Sequence, residues 1–295
     1  MTSLLSPNEL GKAIGVSESS LKRWADKGRL RVARTAGGHR RIHLSEALRF
    51  IRETGFAIVR PEILGLAELD RHDGSEPALQ ALHAALETGD EARASGIIMQ
   101  GYVEGRSLAE LIDELLAPVL RHIGTLWRHG DERGILVEHR ASEISTQILH
   151  RIRALHPSEP GAATAVGGTV DEDFHALPSL MAATVLATRG WSAINLSGAT
   201  PAAVLAQAAR EHDAELVWLA LTQYSDPEEA GARVVEARDA LRAAGVEATL
   251  IVGGPATGEL VAAPPRGVQV AVSMNALDAV ARDLRARAGT PAASV

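Results

Sequence analysis

Asp171-Glu172-Asp173-Phe174-His175-Ala176-Leu177-Pro178 is the stretch on which the reading of this chain turns. Before it, residues 162–170 form a run of small apolar residues that reads as a buried strand. After it, Leu180 to Gly190 reads as a helix. A strand-to-helix turn lies at the carboxyl end of its strand, where open α/β sheets bind ligands, so His175 is presented at a crevice. No G-x-G-x-x-G surrounds it, which sets aside a dinucleotide fingerprint. Asp173, two residues earlier, suits a metal-ligating imidazole whose other ring nitrogen is held by a carboxylate. A solvated loop histidine would have the same spacing, so the stretch alone leaves both readings open.

Working outward, residues 162–288 alternate strand and helix. Strands are predicted at 163–169, 192–197, 215–221, 247–252 and 268–271, and helices at 178–189, 201–212, 227–244 and 275–287. That alternation makes a Rossmann-like, doubly wound parallel sheet. Ser197-Gly198, Thr222 and Gly253-Gly254 close successive strands at the same edge as His175, where small residues leave a broad floor. Glycine also ends strands for ordinary reasons of turn geometry.

Upstream, residues 76–156 repeat apolar residues at spacings of three and four, as in Leu79, Leu82 and Leu86, or Leu108, Leu111 and Leu115. Four helices on this pattern make a four-helix bundle. Trp127 falls at the end of the third helix, and Glu138-His139 near the start of the fourth, across a turn from Gly130 to Gly134. A tryptophan face beside a carboxylate and an imidazole can cap a large flat ligand. It can equally be a bundle-end tryptophan next to solvated polar residues. Residues 55–75 read as a linker, and 289–295, rich in Ala, Pro and Thr, as a disordered tail.

The first 54 residues read as a winged helix-turn-helix. Ser6-Pro7-Asn8-Glu9 is a capping box with proline at the first helical position. Gly15 closes that helix, Ser17 caps a second one from Glu18 to Lys27, and two short runs flanking Gly37-Gly38 read as a hairpin. Residues 1–60 carry twelve Lys and Arg against five acids, a net +7. The whole chain is −7, so the rest carries −14. A basic head on an acidic body directs the head alone toward a polyanion. Its candidate DNA contacts are Ser19, Ser20, Lys22 and Arg23 on the second helix and Arg34, Thr35, Gly37, Gly38, His39, Arg40 and Arg41 on the hairpin. The motifs Ser6–Leu10, Val16–Trp24 and Arg34–Arg41 resemble the MerR-type winged-helix DNA-binding domain.

Composition narrows the chemistry. The 295 residues contain no cysteine, which removes disulfides, iron–sulfur clusters and thiolate metal sites. No run of about 18 apolar residues is present, so no membrane helix is expected. The N-terminus lacks the apolar core of a signal peptide, so a cytoplasmic protein is expected.

Winged helix, helical bundle and Rossmann-like sheet, in that order, resemble the CarH/LitR-type cobalamin-dependent photoreceptor regulators. The bundle and sheet are similar to the cobalamin-binding module of methionine synthase, whose motif is Asp-x-His-x-x-Gly. Asp173 and His175 match that motif, and Pro178 stands where it has glycine. The resemblance implies adenosylcobalamin as cofactor, His175 as the lower cobalt ligand, and Asp173, Ser197, Thr222, Gly253 and Gly254 around it. It also implies a cap of Trp127, Glu138 and His139, with one more residue between Trp127 and Glu138 than the family pattern. In the family, the bundle histidine that takes the upper cobalt position after illumination directly follows the tryptophan. Here Arg128 does, and the candidate is His129.

The function so implied is a non-enzymatic transcriptional regulator, a repressor of a double-stranded DNA operator. It would self-associate as a dimer or tetramer, with light cleaving the cobalt–carbon bond and changing assembly. The alternative is a light-independent MerR-type regulator whose cobalamin-like domain serves only protein contacts.

Overall fold

The computed structural model describes residues 4–66, 74–126, 132–222, 224 and 226–288. Trp127, His129, residues 67–73 of the stretch read as a linker and the tail from 289 lie outside these residues. The chain divides into two compact units, Met1–Ile144 and Ser145–Val295.

In the first unit the head comprises β1 (Leu4–Leu5), α1 (Pro7–Ile14), α2 (Glu18–Asp26), β2 (Ala33–Arg34), β3 (Arg40–His43) and α3 (Leu44–Thr54). Ser6 and Glu9 form the expected capping box on α1, Gly15 ends it in left-handed conformation, and Ser17 caps α2. A Cβ on Gly11 would lie 2.6 Å from the Val16 carbonyl oxygen, so the tight turn between the two helices needs glycine there. Both β1 and β2 pair antiparallel with β3, giving the order β1-β3-β2. Strand β1 was not expected. It is two residues long, too short for a periodic signal. Trp24 packs on Phe50 and Phe56, with ring centroids 5.4 and 5.5 Å apart. Beyond α3, the Val59 and Arg60 amides both donate to the Ala13 carbonyl, and a 3-10 turn at Pro61–Leu64 buries Leu64. The first part of the 55–75 stretch is therefore seated on the head.

The bundle helices follow: α4 (Ser75–Thr88), α5 (Glu91–Val103), α6 (Leu108–Leu111), α7 (Ala117–Leu126) and α8 (Glu132–Ala154). Between α6 and α7 the run stays helical through a π-turn, Ile112–Leu116, in which the Ala117 amide donates to the Ile112 carbonyl five residues back. The cause is Pro118. In an unbroken α-helix its ring would clash with the carbonyl four residues earlier, and the widened turn relieves that. Helix α8 begins at Glu132, so Gly134 lies inside it rather than in the expected turn.

The second unit holds β4 (Thr164–Gly168), α9 (Ala176–Thr188), β5 (Ser192–Asn195), α10 (Ala202–Glu211), β6 (Leu216–Ala220), α11 (Pro227–Ala243), β7 (Thr249–Gly253), α12 (Gly258–Ala262), β8 (Val268–Ala271) and α13 (Met274–Ala288). All five strands are parallel, in the order β5-β4-β6-β7-β8. On one face Val166, Val217 and Val252 share a buried cluster with Leu205 of α10 and Val234 of α11. On the other, Ala165, Trp218 and Ile251 share one with Ala183 of α9 and Ala281 of α13. Helices on both faces make the sheet doubly wound, as the sequence implied. Chain direction reverses across the sheet beside β4, so the carboxyl ends of β4 and β6 flank the switch point where such folds bind ligands.

Candidate cofactor site and nucleic-acid interface

The Asp171–Pro178 stretch leaves β4 through a single bridge, Val170 to Thr200, and enters α9 at Ala176, with His175 at its N-cap. Pro178 sits in the first turn of that helix, where its missing amide costs no intrahelical bond. Asp173 is 1% exposed and fully engaged. Its carboxylate accepts the Thr222 amide at 2.7 Å, the Thr222 hydroxyl at 2.6 Å and the His175 amide at 3.1 Å. His175 Nδ1 stands 3.4 Å from the same carboxylate. A buried acid this close to one ring nitrogen can orient the imidazole at the crevice.

The loop is held from several sides. The buried Thr169 hydroxyl donates to the Asp173 carbonyl and accepts the Ala199 amide at 3.0 Å. A Cβ on Gly198 would lie 3.1 Å from the Phe174 carbonyl oxygen, so the loop after β5 meets the histidine loop backbone to backbone. Gly254 has φ of +110°, and a Cβ there would lie 2.3 Å from the Leu221 carbonyl oxygen. No other residue fits beside the Thr222 loop. Phe174 is 75% exposed, an apolar ring standing in water next to His175. Tyr224 donates to the Val170 carbonyl at 3.0 Å. Burial first, then the nearby Asp173 and Asp171 carboxylates, push its phenol up to about 12. Arg233 of α11 pairs with Asp171 at 3.3 Å.

The structure thus brings Asp173, His175 and Thr222 into one cluster, with Gly254 against the neighbouring Leu221. Ser197 is in left-handed conformation, and its amide donates to the Asn195 side chain at 3.1 Å. Thr169, Tyr224 and Arg233 were not singled out from sequence, because each acts through a partner about four to sixty residues away that no local pattern marks. In the first unit, Glu138 and His139 are neighbours on α8, 3.6 Å apart, with His139 exposed.

In the head, Ser19, Lys22 and Arg23 are exposed, as are Arg34 to His39. Ser20 is half-buried, and its hydroxyl lies 3.0 Å from that of Ser17. The wing tip is closed by Gly38 amide to Thr35 carbonyl at 2.8 Å, with Gly38 at φ +77°. Arg40 differs from its neighbours. Its guanidinium donates to Asp26 at 2.6 Å and to the Lys22 carbonyl at 3.0 Å, so it braces the wing against α2. Arg41 is half-buried.

Residues 4–55 match the family described as a helix-turn-helix domain, and residues 78–153 match the B12 binding domain. The two matches fall on the head and on the helical bundle, respectively. Along nearly its whole length it is similar to the HTH-type transcriptional repressor CarA of Myxococcus xanthus, at 26% identity over 94% of this chain and 96% of that protein. The monomethylamine corrinoid protein of Methanosarcina barkeri superposes with a TM-score of 0.53 at 13% identity, over 72% of this chain and all of that one. Among the described residues no helix is long and apolar enough to cross a membrane.

Proposed function

We propose that this protein is a MerR-type transcriptional repressor that senses adenosylcobalamin and light, and whose assembly state sets its affinity for a DNA operator. One observation carries the reading. His175 Nδ1 lies 3.4 Å from the buried Asp173 carboxylate, which Thr222 holds at the switch point of a parallel sheet. The donor set fits a cobalt centre, and the glycine approaches at Gly198 and Gly254 keep side chains out of the floor beside it.

In this reading the His175 imidazole would hold the cobalt, with Asp173 and Thr222 orienting the ring. Phe174 and the Ser197, Gly253 and Gly254 loops would line the corrinoid's place. Trp127, Glu138 and His139 would form the cap, and His129 would be a candidate cobalt ligand after light. When bound, adenosylcobalamin supplies a cobalt–carbon bond that light can cleave. Ser19, Lys22, Arg23, Arg34 and the wing tip contact DNA. Linked heads in a dimer or tetramer bind far more tightly than single ones, so a change of assembly is a change of occupancy.

The similarity to a named repressor over nearly the full chain supports the regulatory part. The test is a visible spectrum of the protein after mixing with adenosylcobalamin and desalting, taken in darkness and after green light, alongside its elution volume on gel filtration. Retained colour that changes with illumination together with elution is the expected result. Colourless protein sinks the cofactor reading and leaves a light-independent regulator whose second domain serves protein contacts.

A further inference from the structure

Among the described residues, one side chain reaches from the helix-turn-helix head to the bundle with contacts of its own. Arg52, near the end of α3, reaches the C-terminal end of α5, fifty residues later in sequence. Its guanidinium donates to the Tyr102 carbonyl and, at 3.1 Å, to the Arg106 carbonyl. It also lies 3.9 Å over the ring of Tyr102, which is 2% exposed. The three contacts are of two kinds, carbonyl hydrogen bonds and a ring face, and both suit a planar cation. A helix C-terminus carries partial negative charge on its last carbonyls. Gly105, at φ +106°, turns the chain so that the Arg106 carbonyl joins that of Tyr102. An aromatic face attracts the guanidinium by its quadrupole. A lysine ammonium is a point charge and cannot serve two carbonyls and a ring together.

The contact leaves the DNA-facing side open. Ser19, Lys22, Arg23 and the wing tip remain exposed while Arg52 is engaged. The segment immediately after α3 is also tied down, with Val59 and Arg60 bonded to Ala13. The usual picture of a DNA head swinging on a free tether does not describe these residues.

We propose that the C-terminal end of α5 is a docking surface for the chain's own DNA-binding head, and that Arg52 is the positioning residue that seats it there. The head and bundle then move as one body, and the direction in which the head presents its recognition helix is set by the bundle. The proposal does not depend on the cofactor reading, and its test uses no cobalamin.

The absence of cysteine makes that test direct, because two introduced thiols are the only ones in the chain. Lys12 on α1 and Arg121 on α7 are both exposed. Spin labels on Lys12→Cys and Arg121→Cys in the full chain report the head-to-bundle distance by pulsed dipolar spectroscopy. The parent should give one narrow distribution, Arg52→Ala a distribution several-fold broader, and Arg52→Lys an intermediate width. A broad parent, or an Arg52→Ala distribution as narrow as the parent's and at the same distance, overturns the proposal. Should Arg52→Ala lose its helical circular dichroism, the Arg52→Lys distribution decides: intermediate width supports the clasp, and unchanged width removes it.

Discussion

The loop after β4 and the wing of the head both present residues for a partner, but they are built in opposite ways. Around His175, each polar group that positions the ring has its own partner inside the fold: Asp173 on Thr222, Thr169 on Asp173 and Ala199, Tyr224 on Val170. At the wing, Arg34 to His39 stand exposed on a four-residue turn held by its own backbone. A rigid planar ligand rewards a preset ring, since a misplaced ligand atom loses the bond. A DNA backbone is met by long charged side chains that adapt on contact, and their pairing inside the free protein would only have to be undone. The difference shows which region should respond to substitution by losing geometry and which by losing charge.

The largest effect is expected where the rigid side has its foundation. Gly167 on β4 faces Trp218, and an added Cβ would lie 2.3 Å from the Trp218 carbonyl oxygen and 2.2 Å from its ring. Backbone cannot yield there cheaply. Gly167→Ala should lower unfolding free energy by about 3 kcal/mol or more, measured by urea denaturation. A near-neutral result would mean that the strand pairing is looser than drawn.

Next comes the lock itself. Asp173→Asn keeps the shape but replaces one acceptor oxygen with a donor, facing the Thr222 amide and hydroxyl. Cobalamin retention should fall by about 10- to 100-fold in an equilibrium titration, while the salt dependence of DNA binding stays unchanged. Equal retention would show that the carboxylate does not orient the ligand.

On the adaptable side, Arg34→Ala should reduce the slope of log affinity against log salt by about one, uniformly across sequences. Arg40→Ala sharpens the contrast, because that guanidinium is already paired with Asp26. It should weaken binding by loosening the wing, with a smaller change of slope than Arg34→Ala. Identical slopes for the two variants would erase the distinction between bracing and contacting arginines.

The smallest effect concerns Tyr224, whose phenol is pushed up to about 12 from an ordinary value of 10.0. The fold holds the proton more tightly than the unfolded chain does. Stability should therefore be level below about pH 10 and decline between about 10 and about 12, as the unfolded state ionises first. Tyr224→Phe should remove that decline, leaving a pH-independent offset for the lost bond to Val170. A difference between the two proteins that stays constant from pH 9 to 11 would refute the shift.

Much of the architecture could be read from residue spacing alone. All five parallel strands and helices α9, α10, α11 and α13 lie within a few residues of the expected positions, because period and turn chemistry agree there; the short α12 between β7 and β8 was not foreseen. The capping box at Ser6 and the stop at Gly15 have local causes and were visible for that reason. What escaped the sequence depends on partners far along the chain. Tyr224 meets Val170 fifty-four residues away, Arg233 meets Asp171, and Arg52 meets Tyr102. The π-turn left a local mark, Pro118, but a proline inside apolar helical spacing signals a break more often than a widened turn. Asp173 and His175 stood out by motif, whereas Thr169, which holds the same loop, has no spacing that distinguishes it from any strand-end threonine.

The widened turn at Ile112–Leu116 has a mechanical consequence. It keeps one surplus residue in a helical rod that would otherwise be of fixed length. Handing that surplus to either end slides the neighbouring segment by about 1.5 Å and twists it by about 100°, with little net loss of backbone pairing. A rod with such a vernier can shorten or lengthen at one end while the other stays anchored.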